Sequence, residues 1–240
     1  MVSSVSFSGE GQGTSKAEPL ISAEGVTRTF GAGETEVTAV DQVTLEIFPG
    51  EILGVTGRSG SGKTTLLNLL SGLDRPTSGR VLFQGTDLAS LPESGLVQLR
   101  RHKIGFVFQS FGLMPLLSAQ ENVELPLHLA GLSWRERRRR ALEALELVGL
   151  GSRARHRPYE LSGGEQQRTS IARALVAGPT VVFADEPTGE LDTTTAGTIA
   201  GILRDLSVQQ GTTVLVVTHD PAMAAVCGRT LELVDGALAH

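Results

Sequence analysis

The sequence has a single cysteine, no apolar run long enough to cross a bilayer and no excess of positive charge, and each shortage removes a class of function. Cys227 has no partner within the chain, so no intrachain disulfide can form, and no cluster with metal-ligand spacing exists. A reducing cytosol fits. Because no stretch reaches 18 consecutive apolar residues, a membrane role would have to come from another subunit. The formal net charge is -5, with 21 Lys and Arg against 26 Asp and Glu. Proteins that bind nucleic acid carry a basic excess to neutralise phosphates, so no DNA or RNA partner is expected. The first nineteen residues are polar, rich in Ser and Gly, and lack the apolar stretch of a secretory signal. Residues 1–19 are therefore expected to form a disordered tail, followed by one folded domain over residues 20–240.

What is present is an alternation of β-prone and helix-prone segments. Between Leu20 and Gly50 the short runs EGVTRTF, TEVTAV and QVTLEI predict antiparallel strands joined by turns. ILGVTG then reads as a buried strand, GRSGSG as a loop and KTTLLNLL as a helix ending near Gly72. From about Leu88 to Tyr159 the signals are helical: Ser118 with Glu121 and Ser133 with Glu136 match the capping box, and Gly131 and Gly149 stand where helices stop. A helical subdomain is expected over roughly residues 88–178. Afterwards strand and helix alternate again through TVVFAD and TVLVVTH. This pattern predicts an α/β fold: a parallel sheet with helices on both faces and ligands at the carboxyl ends of its strands, preceded by an antiparallel β subdomain.

Gly57, Gly62, Lys63 and Thr64 satisfy G-x-x-x-x-G-K-[ST] between a predicted strand and a predicted helix. In such a P-loop the backbone N–H groups of Gly57, Arg58, Ser59, Gly60, Ser61 and Gly62 curl around an anion. Lys63 reaches the outer phosphates, Thr64 ligates Mg²⁺, and the helix N-terminus adds partial positive charge. The plain alternative is a Gly/Ser-rich turn. Asp185 and Glu186 close the run TVVFA, where one acid can hold Mg²⁺ through water and its neighbour can take a proton from an attacking water. Alone, an acidic pair before Pro187 is an ordinary solvated turn. His219 closes the run TVLVVT, positioned to meet a terminal phosphate or, more plainly, to pack as a loop or core residue. In LSGGEQQR, Ser162 and Glu165 make a capping box for the following helix. The same geometry leaves the Ser162 hydroxyl and the Gly163 and Gly164 N–H groups at a helix N-terminus, a second anion site. The two anion sites belong to different subdomains, which suggests a nucleotide shared between two chains.

With the P-loop, LSGGEQQR, FADEPTGELD and VVTHD in this order, residues 20–238 resemble the nucleotide-binding subunits of ABC transporters, members of the P-loop NTPases. The resemblance implies ATP and Mg²⁺ as ligands and a role for each matching residue. Phe30 would stack on adenine, and Gly57 to Thr65 would cradle the phosphates. Gln109 would ligate Mg²⁺ and sense a partner, and Ser162 and Gly164 would contact the γ-phosphate bound by the other chain. Glu186 would be the base, Asp192 would lie in a loop facing the dimer seam, and His219 would contact the γ-phosphate. Two positions depart from the pattern. Phe30 stands where a tyrosine is usual, and keeps the stacking face. Glu190 stands where the nearest members carry asparagine, and it adds a carboxylate close to phosphates.

After Gln109 comes SFGLMPLLSAQENVELPLHL, with Phe111, Leu113, Met114, Leu116 and Leu117 clustered around Pro115, an apolar content that implies either packing into the helical subdomain or a groove for a short helix of a membrane subunit. The wording of this region resembles the group that includes macrolide exporters, lipoprotein-release ATPases, antimicrobial-peptide resistance pumps and the cell-division ATPase. Arg135 and Arg137 to Arg140 read as a solvated helix face, with acidic lipid headgroups as the other reading. The expected function is an ATPase that dimerises on ATP, as a homodimer in the sense that one sequence holds both half-sites. It would drive an integral membrane permease from the inner face of a bacterial plasma membrane, exporting or releasing a lipid, peptide or drug. The alternatives are a signalling ATPase acting through a membrane partner on a cell-wall hydrolase, and a soluble cassette of iron-sulfur assembly or translation.

Overall fold

The computed structural model describes residues 18–239, so the tail expected over residues 1–19 lies, but for its last two residues, outside the described residues. Two sheets organise the chain. Strands β1 (Ile21–Phe30), β2 (Val37–Ile47), β4 (Ser78–Phe83) and β5 (Thr86–Asp87) form an antiparallel sheet in the order β2-β1-β4-β5. Strands β3 (Ile52–Thr56), β6 (Ile104–Val107), β7 (Val181–Asp185), β8 (Thr213–Val217), β9 (Arg229–Val234) and β10 (Ala237–Leu238) form a second sheet, ordered β10-β9-β3-β8-β7-β6. It is parallel throughout except for the β9/β10 hairpin.

The central strands β3, β7 and β8 are nearly continuous apolar runs because both faces of the sheet are covered. Alternation sends their side chains into two different cores. Val182, Ala184, Val214 and Val216 enter a core shared with α3 (Ala119–Leu129), α4 (Trp134–Leu147), α5 (Gly163–Leu175) and α6 (Thr193–Gln210). Val181, Phe183, Leu215 and Val217 enter a core shared with the antiparallel sheet and α1 (Lys63–Leu70). Helix α1 lies between the two sheets, which is why Leu66, Leu67, Leu69 and Leu70 can all be buried on one eight-residue helix. Eight residues make too short a helix to persist alone in water. Burial of four leucines, each contributing about 1.5–3 kcal/mol, outweighs that deficit.

The helical stretch expected over residues 88–178 is interrupted. After α2 (Glu93–Lys103), which places Leu96 in the core beside α1, the chain enters β6 as the edge strand of the parallel sheet. A four-residue strand between helical segments leaves too little period-2 pattern to read, yet Ile104, Gly105 and Val107 are buried. Gly105 allows the closest approach, because a Cβ there would stand 2.4 Å from the Ala174 carbonyl oxygen of α5. A second correction concerns TEVTAV and QVTLEI, which are one strand and not two. Gln42 takes a left-handed conformation (φ 48°) at an irregularity in the β1/β2 register, and the pairing continues past it. A third concerns Ser133, whose side chain accepts from the Glu136 N–H without the reciprocal bond of a capping box. Glu136 turns instead to Arg139 and Arg140. Arg139 also meets Glu143, so this part of the basic run is a paired, solvated helix face. The full capping boxes at Ser118 and Ser162 are present as the sequence implies. Helix α7 (Pro221–Ala224) follows β8.

Candidate functional site

Strand β3 ends at Thr56, and the chain curls through residues 57–62 before α1 begins at Lys63. Gly62 is the N-cap of α1 with φ 98° and no side chain, so the first N–H groups of the helix are not consumed by a capping side chain. Glycine is required there: a Cβ would lie 2.0 Å from the carbonyl oxygen of Ala39, where β2 crosses the loop. The Lys63 side chain is 7% exposed, and its Nζ donates to the carbonyl oxygens of Gly57 and Arg58, both at 2.9 Å. Two of its three donors hold the ammonium in place and one remains for an anion. The Ser61 hydroxyl is turned inward, buried without a hydrogen-bond partner.

A cavity of about 610 Å³ opens above this loop, lined by Ala39, Arg58 to Gly60, Gly62 to Thr65, Gln109, Glu186 and His219. The structure therefore brings the P-loop together with Gln109, Glu186 and His219. Ala39 was not visible as a site residue in the sequence, because its part is a backbone crossing. The Thr64 hydroxyl donates to Asp185 Oδ1 at 3.2 Å. Burial raises the Asp185 carboxyl above its ordinary value; the Thr64 bond and Lys63 oppose this, and Glu186 adds to it. A desolvated carboxylate beside a hydroxyl is a hard-oxygen donor pair that gains from a nearby cation. Among the described residues no cluster of three or more His, Cys, Asp or Glu could form a protein-only cage. The Thr64–Asp185 pair suits Mg²⁺, which takes one or two protein oxygens with the rest from phosphate and water.

Glu186 has φ 46°, a left-handed backbone uncommon outside glycine. The turn it opens is fastened on several sides: Glu186 N–H to the Val217 carbonyl at 2.9 Å, Gly189 N–H to the Glu186 carbonyl at 3.1 Å, and Thr188 Oγ1 to Asp220 Oδ2 at 2.8 Å. The Glu186 carboxylate lies 2.9 Å from His219 Nδ1 and accepts the His219 N–H at 3.3 Å. The side chain of Glu186 is 13% exposed and that of His219 67%, so the pair is rooted in the protein and open to the cavity.

Ser162, Gly163 and Gly164 do not line this cavity. They form the tip of α5, where Ser162 Oγ accepts the Glu165 N–H at 3.3 Å and Glu165 returns to the Ser162 N–H at 2.8 Å. Asp192 also stands outside the cavity, as the N-cap of α6, accepting from the N–H groups of Thr194 and Thr195 and from the Thr195 hydroxyl. Those bonds, the hydroxyl first, hold its carboxyl below the usual range. The two tips touch: a Cβ on Gly164 would stand 2.4 Å from Thr195 Cγ2. The α5 tip and the Asp192 turn thus form one surface. Glu190 is exposed beside it. Phe30 does not line the cavity either; it is 43% exposed at the end of β1, with the Arg28 guanidinium 4.6 Å from its ring centroid.

The apolar segment after Gln109 is arranged differently from the sequence expectation. Asn122 of α3, fully buried, accepts the Met114 N–H at 2.7 Å and donates to the carbonyls of Met114, Leu117 and Ser118. Met114 and Leu116 are exposed, and Phe111, Leu113 and Leu117 are partly buried. The groove itself, about 440 Å³, is lined by Val97, Phe106, Phe108, Leu125, Pro126 and Leu129; of residues 110–129, Gly112, Leu125, Pro126 and Leu129 reach it, and the cluster around Pro115 does not. Arg173 lies along its wall, with its charge opposed by burial and its guanidinium bonded, among the described residues, to the carbonyls of Gly112 and Phe111.

A family model described as ABC transporter matches residues 40–189. The chain is 48% identical over 220 residues to a macrolide export ATP-binding/permease protein MacB of Marinobacter nauticus, covering 92% of this chain and 34% of that one. It is 47% identical over 223 residues to MacB of Wolinella succinogenes, covering 93% and 34%. The chain thus spans about a third of the length of these curated relatives. Among solved structures it is similar to the dimeric ATP-binding cassette MJ0796 in a post-hydrolysis state bound to ADP and Pi, with TM-score 0.85, 44% identity and coverage of 92% of this chain and 97% of that one. It is also similar to cbiO1 of Clostridium perfringens, part of the transporter complex cbiONQ, with TM-score 0.83, 27% identity and coverage of 92% and 87%.

Proposed function

Because the chain belongs to the ABC transporter family, as an ATP-binding and ATP-hydrolysing cassette, we propose that two copies close face to face on ATP and that closure drives a membrane permease in export. One observation carries the shared-site reading. The P-loop, Gln109, Glu186 and His219 line one cavity, whereas Ser162, Gly163, Gly164 and Asp192 form a separate surface outside it. A second anion site that the chain does not turn on its own nucleotide is suited to a nucleotide held by another copy.

In this reading Lys63 and the loop N–H groups bind the phosphates, while the Glu186 carboxylate orients the attacking water and takes its proton. His219, held by Glu186, donates toward the γ-phosphate. Thr64, Asp185 and Gln109 are the residues that would hold Mg²⁺, which supplies neutralisation of the developing phosphate charge. The tip of α5, with the Gly163 and Gly164 N–H groups and the hydroxyl of the exposed Ser162, meets the γ-phosphate in the partner chain's site. Ser162→Ala is expected to bind nucleotide as a monomer like the wild type but to turn over about tenfold more slowly, having lost a charge-assisted phosphate contact. Wild-type turnover in steady-state phosphate release would sink the shared-site reading.

The permease docks, in this proposal, as a short helix with an apolar face in the groove between α2, β6 and α3. Two features support it: Phe108 on the groove wall directly precedes Gln109 in the nucleotide cavity, and Arg173 offers an uncompensated charge to an acidic group. No helix among the described residues is long and apolar enough to cross a membrane. The cassette would therefore be held at the inner face of the bacterial plasma membrane by that contact. Relatives that carry both ATP-binding and permease parts and export macrolides favour an exported drug, peptide or lipid over a signalling partner. Val97→Asp with Leu129→Asp is expected to leave ATP hydrolysis of the isolated cassette unchanged. Co-expressed with its permease, the double variant should lose detergent-stable co-purification; retention at wild-type yield would reject the groove as the docking site.

A further inference from the structure

Gln167 is a fully buried polar side chain on α5, one turn beyond the tip that carries Ser162 and Gly164. Its Nε2 donates to the carbonyl oxygen of Pro187 at 2.6 Å, and its Oε1 lies 3.0 Å from the buried Ser170 hydroxyl, which it shares with the Gln167 backbone carbonyl at 2.9 Å. Placing an amide in a core is unfavourable unless its hydrogen bonds are made, so both ends being satisfied marks the position as specific. Pro187 follows Glu186, whose left-handed backbone is held by its own bonds to Val217 and Gly189 and by what fastens its neighbours. On one flank the Thr188–Asp220 bond and His219 tie the turn to the end of β8; on the other, Gln167 is the tie.

We propose that Gln167 is a positioning residue that couples the two nucleotide sites of the dimer, joining the helix tip that reads one γ-phosphate to the turn that carries the base for the other. This rests on the shared-site reading. In a closed pair, the tip of α5 meets the triphosphate on the partner's P-loop, while Glu186 of the same chain serves its own P-loop. A helix moves as a rigid body, so a shift imposed at Ser162 arrives at Gln167 one turn away and, through a 2.6 Å bond, at the Glu186–Pro187 turn. Nucleotide in one site then sets the base of the other. The linkage lies within each chain, so it operates symmetrically across the dimer.

Gln167→Met keeps the length and packing of the side chain and removes the donor to Pro187. Ser170→Ala leaves Gln167 in place and removes the hydroxyl that orients it. Each is compared with the wild type for ATPase rate against ATP concentration, for affinity of the monomer for a fluorescent ATP analogue, and for dimerisation on ATP in the Glu186→Gln background. The wild type is expected to show a Hill coefficient above one. Gln167→Met should lower turnover about tenfold and bring the Hill coefficient to one, with monomer affinity and ATP-driven dimerisation retained; Ser170→Ala should move both in the same direction by less. Wild-type turnover and Hill coefficient in both variants, or a wild-type Hill coefficient of one, would overturn the coupling. So would a fall in turnover matched by lost nucleotide affinity and melting temperature with cooperativity intact, the mark of a merely structural residue. If Glu186→Gln alone stays monomeric at saturating ATP and Mg²⁺, the shared-site reading itself fails and takes the coupling with it.

Discussion

Glu186→Gln is expected to bind ATP with wild-type affinity, to hydrolyse it roughly 10²–10³-fold more slowly, and to accumulate as an ATP-bound dimer. The substitution removes the proton acceptor and keeps the shape of the side chain, so the turn around φ 46° and its bonds to Val217 and Gly189 need not change. One negative charge also leaves the neighbourhood of the phosphates. Both effects favour the closed pair: the step that would dissolve it is blocked, and the repulsion opposing it is smaller. Sedimentation velocity at saturating ATP and Mg²⁺ reads the outcome directly. A species that remains monomeric there, or a turnover within threefold of wild type, would contradict the assignment of Glu186 as base in a shared site.

Lys63→Ala is expected to weaken ATP binding by roughly 10²-fold, about 2–3 kcal/mol, the scale of a charge-assisted hydrogen bond in a partly desolvated site. The side chain is 7% exposed and already immobilised by the carbonyls of Gly57 and Arg58, so little entropy is lost when it meets a phosphate. Its removal takes a donor from each carbonyl, although that of Arg58 still accepts the Ser61 N–H at 3.2 Å, so the melting temperature should also fall modestly. Isothermal titration with ATP separates the two effects, because a folded variant still reports an affinity. Unchanged affinity in a folded Lys63→Ala chain would remove the P-loop assignment.

The contrast between what was and was not legible follows from where the information lies. The strand-loop-helix arrangement of residues 52–70 was readable because the glycine spacing, the apolar run before it and the leucines after it agree. The tip of α5 was readable because Ser162 and Glu165 form a local pattern. Strand β6 was not, since its place beside β7 is set by long-range pairing and by the approach of Ala174 to Gly105. Ala39 acts through its backbone, and Gln167 through a partner twenty positions away, so neither leaves a mark in its own neighbourhood. The groove draws Leu125, Pro126 and Leu129 from the segment the sequence singles out, but Asn122 pins the loop after Gln109 away from it, and the other apolar walls come from α2 and β6.

The position of α1 between the two sheets has an energetic corollary. The helix and the loop before it are clasped by leucines below and by the crossing of β2 above, so the shape of the phosphate cradle is set by the chain's own packing. Binding therefore need not expend free energy on ordering the loop. That free energy stays available as work for drawing the two cassettes together.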